Sequence, residues 1–140
     1  MDSVSEARFA FIKLVIRNVI HGTTKSVKKL LQQGPPGLIK DPQEVEIQKW
    51  FLTLKENDRQ KVLEIVQSSI LRTAFNLLVI LDNKVGYPLE NKVSDFSLNL
   101  QIYENQEELF NYNPNLIVRI NKSYSIDGDL HDLLLKEIKK

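Results

Sequence analysis

Apolar residues crowd around most of the circumference of the first predicted helix. Between Ser3 and about Ile20, Phe9, Ala10, Phe11, Ile12, Leu14, Val15, Ile16, Val19 and Ile20 leave a narrow polar stripe of Asp2, Glu6, Lys13 and Arg17. The stripe is narrow because spacings of four, seven and eleven return to one side of a 3.6-residue repeat. Such a helix is expected at the centre of a fold or half covered by a partner subunit. Gly22 is expected to end it, and Thr24 to cap a short basic helix, TKSVKKLLQQ. That helix should stop at GPPG, residues 34–37, since two prolines cannot continue the backbone bonding.

DPQE at 41–44 is a helix start signal, with Asp41 as cap, Pro42 in the first turn and Glu44 reaching back. The helix that follows carries Val45, Ile47, Trp50, Phe51 and Leu54, enough apolar surface to dock it. Asn57 or Asp58 then opens the longest predicted element, which runs to about residue 82. Its first half is amphipathic, with Gln60, Glu64, Ser68 and Arg72 along the wet side, whereas 74–81 is apolar nearly all round. The second half is therefore expected in the core, where Asn76 would need hydrogen-bond partners.

Beyond Asp82 the pattern changes. NKVGYPLENK reads as loop. In DFSLNLQIYE, Phe96, Leu98, Leu100 and Ile102 alternate with Ser97, Asn99, Gln101 and Tyr103, the period of a strand with one wet face. A turn near ENQEE, a short strand around Leu109 to Tyr112, a turn at NPN and a strand LIVRIN would complete an antiparallel meander, and IDGDLHDLLLKEIKK reads as a closing helix. The expected fold is thus α+β and a single domain over 1–140: a helical N-terminal half around one long central helix, a small antiparallel sheet and a C-terminal helix.

Composition narrows the chemistry. A chain of 140 residues with 42% hydrophobic content supports one ordinary core. It has no cysteine, which removes disulfides, thiolate nucleophiles and Cys-based metal sites and makes a reducing cytoplasm the natural setting. Acids precede Lys13 and Arg17 at the start, unlike a signal peptide. The longest unbroken apolar run, LLVIL at 77–81, is far below the roughly 20 residues that span a bilayer, so no membrane partner is expected. Charge is uneven: residues 1–40 hold seven Lys and Arg against two acids, a net of +5, and the rest hold 12 against 16, a net of −4.

Asp127, Asp129, His131 and Asp132 form the nearest thing to a reactive cluster. A calcium loop would require Gly and Glu at its sixth and twelfth positions, which counted from Asp127 are Asp132 and Ile138. The expected role is instead the front end of a helix: Asp127 or Asp129 caps free N–H groups, while Leu130, Leu133, Leu134 and Ile138 face the core. HGTTKS ends like a phosphate-binding loop in Lys25-Ser26, but Thr24 and Val19 stand where that motif requires glycine. His21 is expected at a helix C-terminus, complementing the dipole. No nucleophile elbow, HExxH or Gly-rich dinucleotide turn is present. No catalytic residue, metal ligand or cofactor is assigned.

The run WFLTLKENDRQKV from Trp50 to Val62, then Ala74, Phe75, Leu78, LDN at 81–83 and Leu130-His131-Asp132-Leu133, resembles small uncharacterised bacterial α+β proteins. Some of those are similar to immunity proteins that accompany secreted toxins. The resemblance covers about the last 90 residues, mainly core positions, and brings no catalytic residue. Where the pattern has glycine after Leu81-Asp82 this chain has Asn83. The resemblance bears on fold and kingdom more than on function. The leading functional reading is a non-enzymatic protein that covers a partner's surface or forms a homodimer, with Phe9, Ile12, Ile16 and Val19 of the apolar first helix as candidate interface. The second reading is a nucleic-acid-associated regulator using Lys25, Lys28, Lys29, Lys13 and Arg17. The third is a carboxylate-dependent enzyme.

Overall fold

The computed structural model describes residues 3–82, 88–89, 92–93, 97–103, 105–112, 114, 116–121 and 128–139. Asp2, Asn83, Phe96, Asn113, Asn115 and Asp127, to which the sequence assigns roles, lie outside them. The fold is α+β, with helices and short antiparallel strand pairs. The chain divides into two compact units, one made of residues 1–14 with 75–140, the other of the contiguous segment 15–74.

The contiguous unit is helical. The first predicted helix is α-helical as α1 over Ser3–Leu14 and becomes a π-helix over Val15–Gly22. Its wider turns, closed by bonds five residues apart, depart from the 3.6-residue spacing used to place the stripe. Gly22 does not end the helix. Its dihedrals are helical, φ −62° and ψ −49°, and the chain continues directly into α2, Thr23–Gln33. Thr24 correspondingly does not cap: its hydroxyl donates to the Ile20 carbonyl at 2.6 Å. His21, expected at a helix end, is an exposed mid-helix side chain with no terminal dipole to complement.

α2 stops at Gly34 as the sequence implies. Gly34 sits at φ +89°, ψ 173°, and its N–H donates to the Leu30 carbonyl at 2.8 Å. A Cβ there would stand 2.7 Å from Gln48 Oε1 on α3, Pro42–Thr53, which packs on α2. Asp41 caps α3 by accepting the Gln43 N–H at 2.8 Å, with Pro42 at the first position. Phe51, Ile20 and Leu31 are buried in this unit, but Ile47 and Trp50, expected to dock the helix, are exposed. The end of α3 is satisfied by Arg59, which donates to the carbonyls of Leu54 and Leu52 and stands 5.9 Å over the Phe51 ring.

Arg59 belongs to α4, Glu56–Leu81, whose 26 residues make about 39 Å of helix. Residues 56–74 fall in the contiguous unit and 75–81 in the other. The apolar end is less covered than its composition suggested: Ala74 and Leu78 are buried, while Leu77 and Asn76 are exposed, so Asn76 is solvated rather than bonded in a core. By length and composition α4 is the one helix among the described residues able to cross a membrane, with an 18-residue window of mean hydropathy 1.4, of which 11% is buried. Arg72 and Asn76 interrupt its apolar residues, so its longest unbroken apolar run is LLVIL at 77–81.

In the other unit, α1 packs on α6, Leu130–Ile138, and on the strand Leu116–Arg119. Ala7 and Ile120 centre its core, with Val4, Phe11, Leu98 and Leu100 against them. Ile12, Leu130, Leu133 and Leu134 are buried as well. The meander is reduced to two separate pairs. β1 (Pro88–Leu89) joins β2 (Lys92–Val93) within the stretch read as loop, and β3 (Asn99–Ile102) pairs with β4 (Leu116–Arg119), Asn99 opposite Arg119 and Ile102 opposite Leu116. The strand expected around Leu109 is instead α5, Gln106–Phe110. Gln, Glu and Leu are strong helix formers, and this short segment has no strand partner to override them.

Replacing Gly34 by Ala should lower stability by roughly 1–3 kcal/mol, since this backbone region is open essentially to glycine alone and Gln48 must also move. A denaturant midpoint shift at unchanged slope is the measurement. An unshifted midpoint would show that the turn carries no such demand.

Candidate functional site

The aspartate cluster at the start of α6 is a helix front end with one addition that the sequence did not reveal. Asp129 and Asp132 form a reciprocal capping box, in which each carboxylate accepts the other's backbone N–H. Gly128, at φ +75°, lets the chain turn into the cap, and a Cβ there would lie 3.2 Å from Asp132 Oδ2. Its carbonyl accepts a hydrogen bond from the guanidinium of Arg8, which is fully buried on α1. Arg8 thus contributes to the core of this unit rather than to the basic surface of residues 1–40.

The addition is Asp82, just past α4. Its side chain is 1% exposed and its Oδ2 accepts twice from one residue 49 positions away, from the His131 N–H at 3.0 Å and from His131 Nδ1 at 2.7 Å. The first bond satisfies another free donor of the first turn of α6, so Asp82 caps that helix from a distance. The second fixes the tautomer: an ionised carboxylate requires a proton on Nδ1. Nε2 then points toward Asp132 Oδ1 at 3.7 Å, and the Phe75 ring meets the imidazole edge-on at 5.3 Å between centroids. The His131 side chain is 15% exposed. Asp82 Oδ1 is buried without a hydrogen-bond partner.

Asn121 completes the clamp on the end of α4. It is buried, donates from Nδ2 to the Leu81 carbonyl at 2.6 Å and accepts at Oδ1 from the Leu98 N–H at 3.0 Å. Two side chains therefore tie the end of α4 to α6 and to the β3–β4 pair.

An imidazole held by a carboxylate on Nδ1 presents Nε2 as a base or a ligand, and Asp129, His131 and Asp132 offer ligand atoms within 4.8 Å of one another. Both aspartates already serve backbone donors in the cap, so binding a cation would compete with the helix start. The remaining sequence candidates are scattered. Lys25, Lys28 and Lys29 share one exposed face of α2, at spacings of three and four; Lys13 and Arg17 are exposed, the latter donating to Asn18 Oδ1 at 3.2 Å. Of the apolar candidates Val19 is exposed and Phe9 and Ile16 are half-buried. Ile12 has no accessible surface, because it faces the core of its own unit, and is removed from the interface. Exposed apolar side chains outside that candidate interface include Leu38, Ile39, Ile47, Trp50, Leu52 and Ile65. A pattern of apolar positions marks a face but not what covers it.

No family model, no curated protein and no solved structure matches the chain.

His131→Ala should cost roughly 3 kcal/mol, because it leaves Asp82 buried with the amide as its one remaining donor. Asp82→Ala should cost no more, since an imidazole left alone can be neutral. The double variant should fall well short of the sum, which chemical denaturation of all four proteins would measure; strict additivity would mean that the pair is not coupled. Calcium, magnesium or zinc should leave the melting temperature unchanged at micromolar concentration. A saturable rise that Asp129→Ala abolishes would instead mark a ligand bound to the native state.

Proposed function

We propose that this is a non-enzymatic protein-binding or regulatory protein, of the kind represented by bacterial immunity proteins that cover a partner's surface. The observation that carries the reading is Trp50, the chain's single tryptophan, which is 52% exposed on α3. Ile47, one turn away on the same face, is exposed too, and Leu38 and Ile39 in the segment before α3 are fully exposed. A solvated indole with aliphatic neighbours is the composition of an interface centre, where tryptophan is among the residues that carry most of the binding energy. The polar residues Gln43, Glu46 and Lys49 of the same helix supply a wet rim. The resemblance of the Trp50–Val62 run to immunity-like proteins points in the same direction.

A second reading, a nucleic-acid-associated regulator, rests on the shared exposed face of Lys25, Lys28 and Lys29. It would use phosphate contacts and so lose affinity steeply with salt.

The test is the product of a neighbouring gene in the source genome, purified and titrated against the chain while tryptophan fluorescence is followed. Binding should shift the emission to the blue as the indole is desolvated. Trp50→Ala should weaken the complex by about 2 kcal/mol or more, some thirty-fold in affinity. A complex indifferent to Trp50→Ala and Ile47→Asp would remove this face. Salt-sensitive binding to generic duplex DNA, abolished by Lys→Glu at 25, 28 and 29, would favour the second reading.

A further inference from the structure

One face of α4 is bare within the unit of residues 15–74. Lys61, Glu64, Ile65, Ser68, Ser69 and Arg72 line a shallow hollow along it, with the two serines between longer side chains. Ile65 is 66% exposed. This is the wet side of the amphipathic half of α4 with one aliphatic side chain standing out of it, a face open to water, a bilayer, a different protein or a second copy of itself. The charges argue against a bilayer, since Glu64 and Arg72 both stand on the exposed side, where no lipid chain can satisfy them.

The placement of those charges favours a second copy. Glu64 lies four residues before Ser68 and Arg72 four after it. When two identical helices cross antiparallel with their Ser68 positions level, Glu64 of each is set against Arg72 of the other, and the favourable pair occurs twice. A parallel pairing would set like charge against like. The small side chains at 68 and 69 allow the axes to approach closely. The aliphatic stem of Arg72 can cover Ile65 of the other copy on its way to Glu64. Such a patch is complementary to itself, as a two-fold interface requires.

We propose that this face of α4 is a homodimer interface, two copies packing antiparallel about Ser68 with reciprocal Glu64–Arg72 pairs. The inference goes beyond the protein-binding reading and does not rest on it, because the Trp50 face takes no part. The dimer is a weak one. The face covers about 17 Å of helix and is smaller than a standard interface.

Sedimentation equilibrium of the full chain, with circular dichroism to verify helix content, tests it. The unaltered protein should dimerise at about 200 µM, and Glu64→Arg and Arg72→Glu should each weaken dimerisation at least about tenfold, since each converts two attractions into two repulsions. The combined variant should recover the original constant, because the charges are exchanged and still complementary. A strictly monomeric protein at that concentration would overturn the proposal. So would single reversals that leave dimerisation unchanged, or a double variant no better than the singles. Flotation of the unaltered protein with phosphatidylcholine vesicles, in place of dimerisation, would assign the face to a bilayer instead.

Discussion

A carboxylate taken out of water must find donors or lose its charge, and the unit built from residues 1–14 and 75–140 is organised around one such group. Asp82 is buried where α4 ends, and both hydrogen bonds it accepts come from His131. Neither partner could be buried so fully alone. The pairing sets the first turn of α6 against the last turn of α4, and with it the row of Leu130, Leu133 and Leu134 that fills the core beside α1. Asn121 does for the β3–β4 pair what Asp82 does for α6, since it binds the Leu81 carbonyl next in the chain. The polar atoms thus decide the arrangement, and the apolar surface supplies the stabilisation once the arrangement is made.

The contiguous unit is made of helices. It closes around few buried residues, Ile20, Leu31 and Phe51 among them, and leaves aliphatic and aromatic side chains of α3 and α4 in water. Single exposed apolar residues are ordinary on any surface. They occur in the other unit too, Leu109, Phe110 and Ile117 among them.

Local signals were legible and distant ones were not. Asp41-Pro42 announced α3 because a cap and its donor lie two residues apart. The cluster at 129–132 read as a helix start for the same reason, and the α+β class followed from a change in period near Asp82. The Asp82–His131 pair left no trace, since 49 residues separate its members and neither stands in a motif. Arg8 counted as surface charge because nothing in its neighbourhood announces a partner at Gly128. The π-helix escaped notice because periodicity was measured at 3.6 residues, and α5 was mistaken for a strand because five residues are too few to display either period. Exposure of Trp50 and Ile65 was beyond the reach of pattern altogether.

The bond between Arg8 and the Gly128 carbonyl spans 120 positions, and this bears on the order in which the chain acquires its shape during synthesis. Residues 15–74 are contiguous and can condense while the remainder is still being translated. The segment carrying Arg8 and Ile12 is made before residues 128–134, and the core of its unit cannot close until they follow. Helix α1 is therefore synthesised well ahead of the residues that bury it, so its unit closes after the contiguous one can.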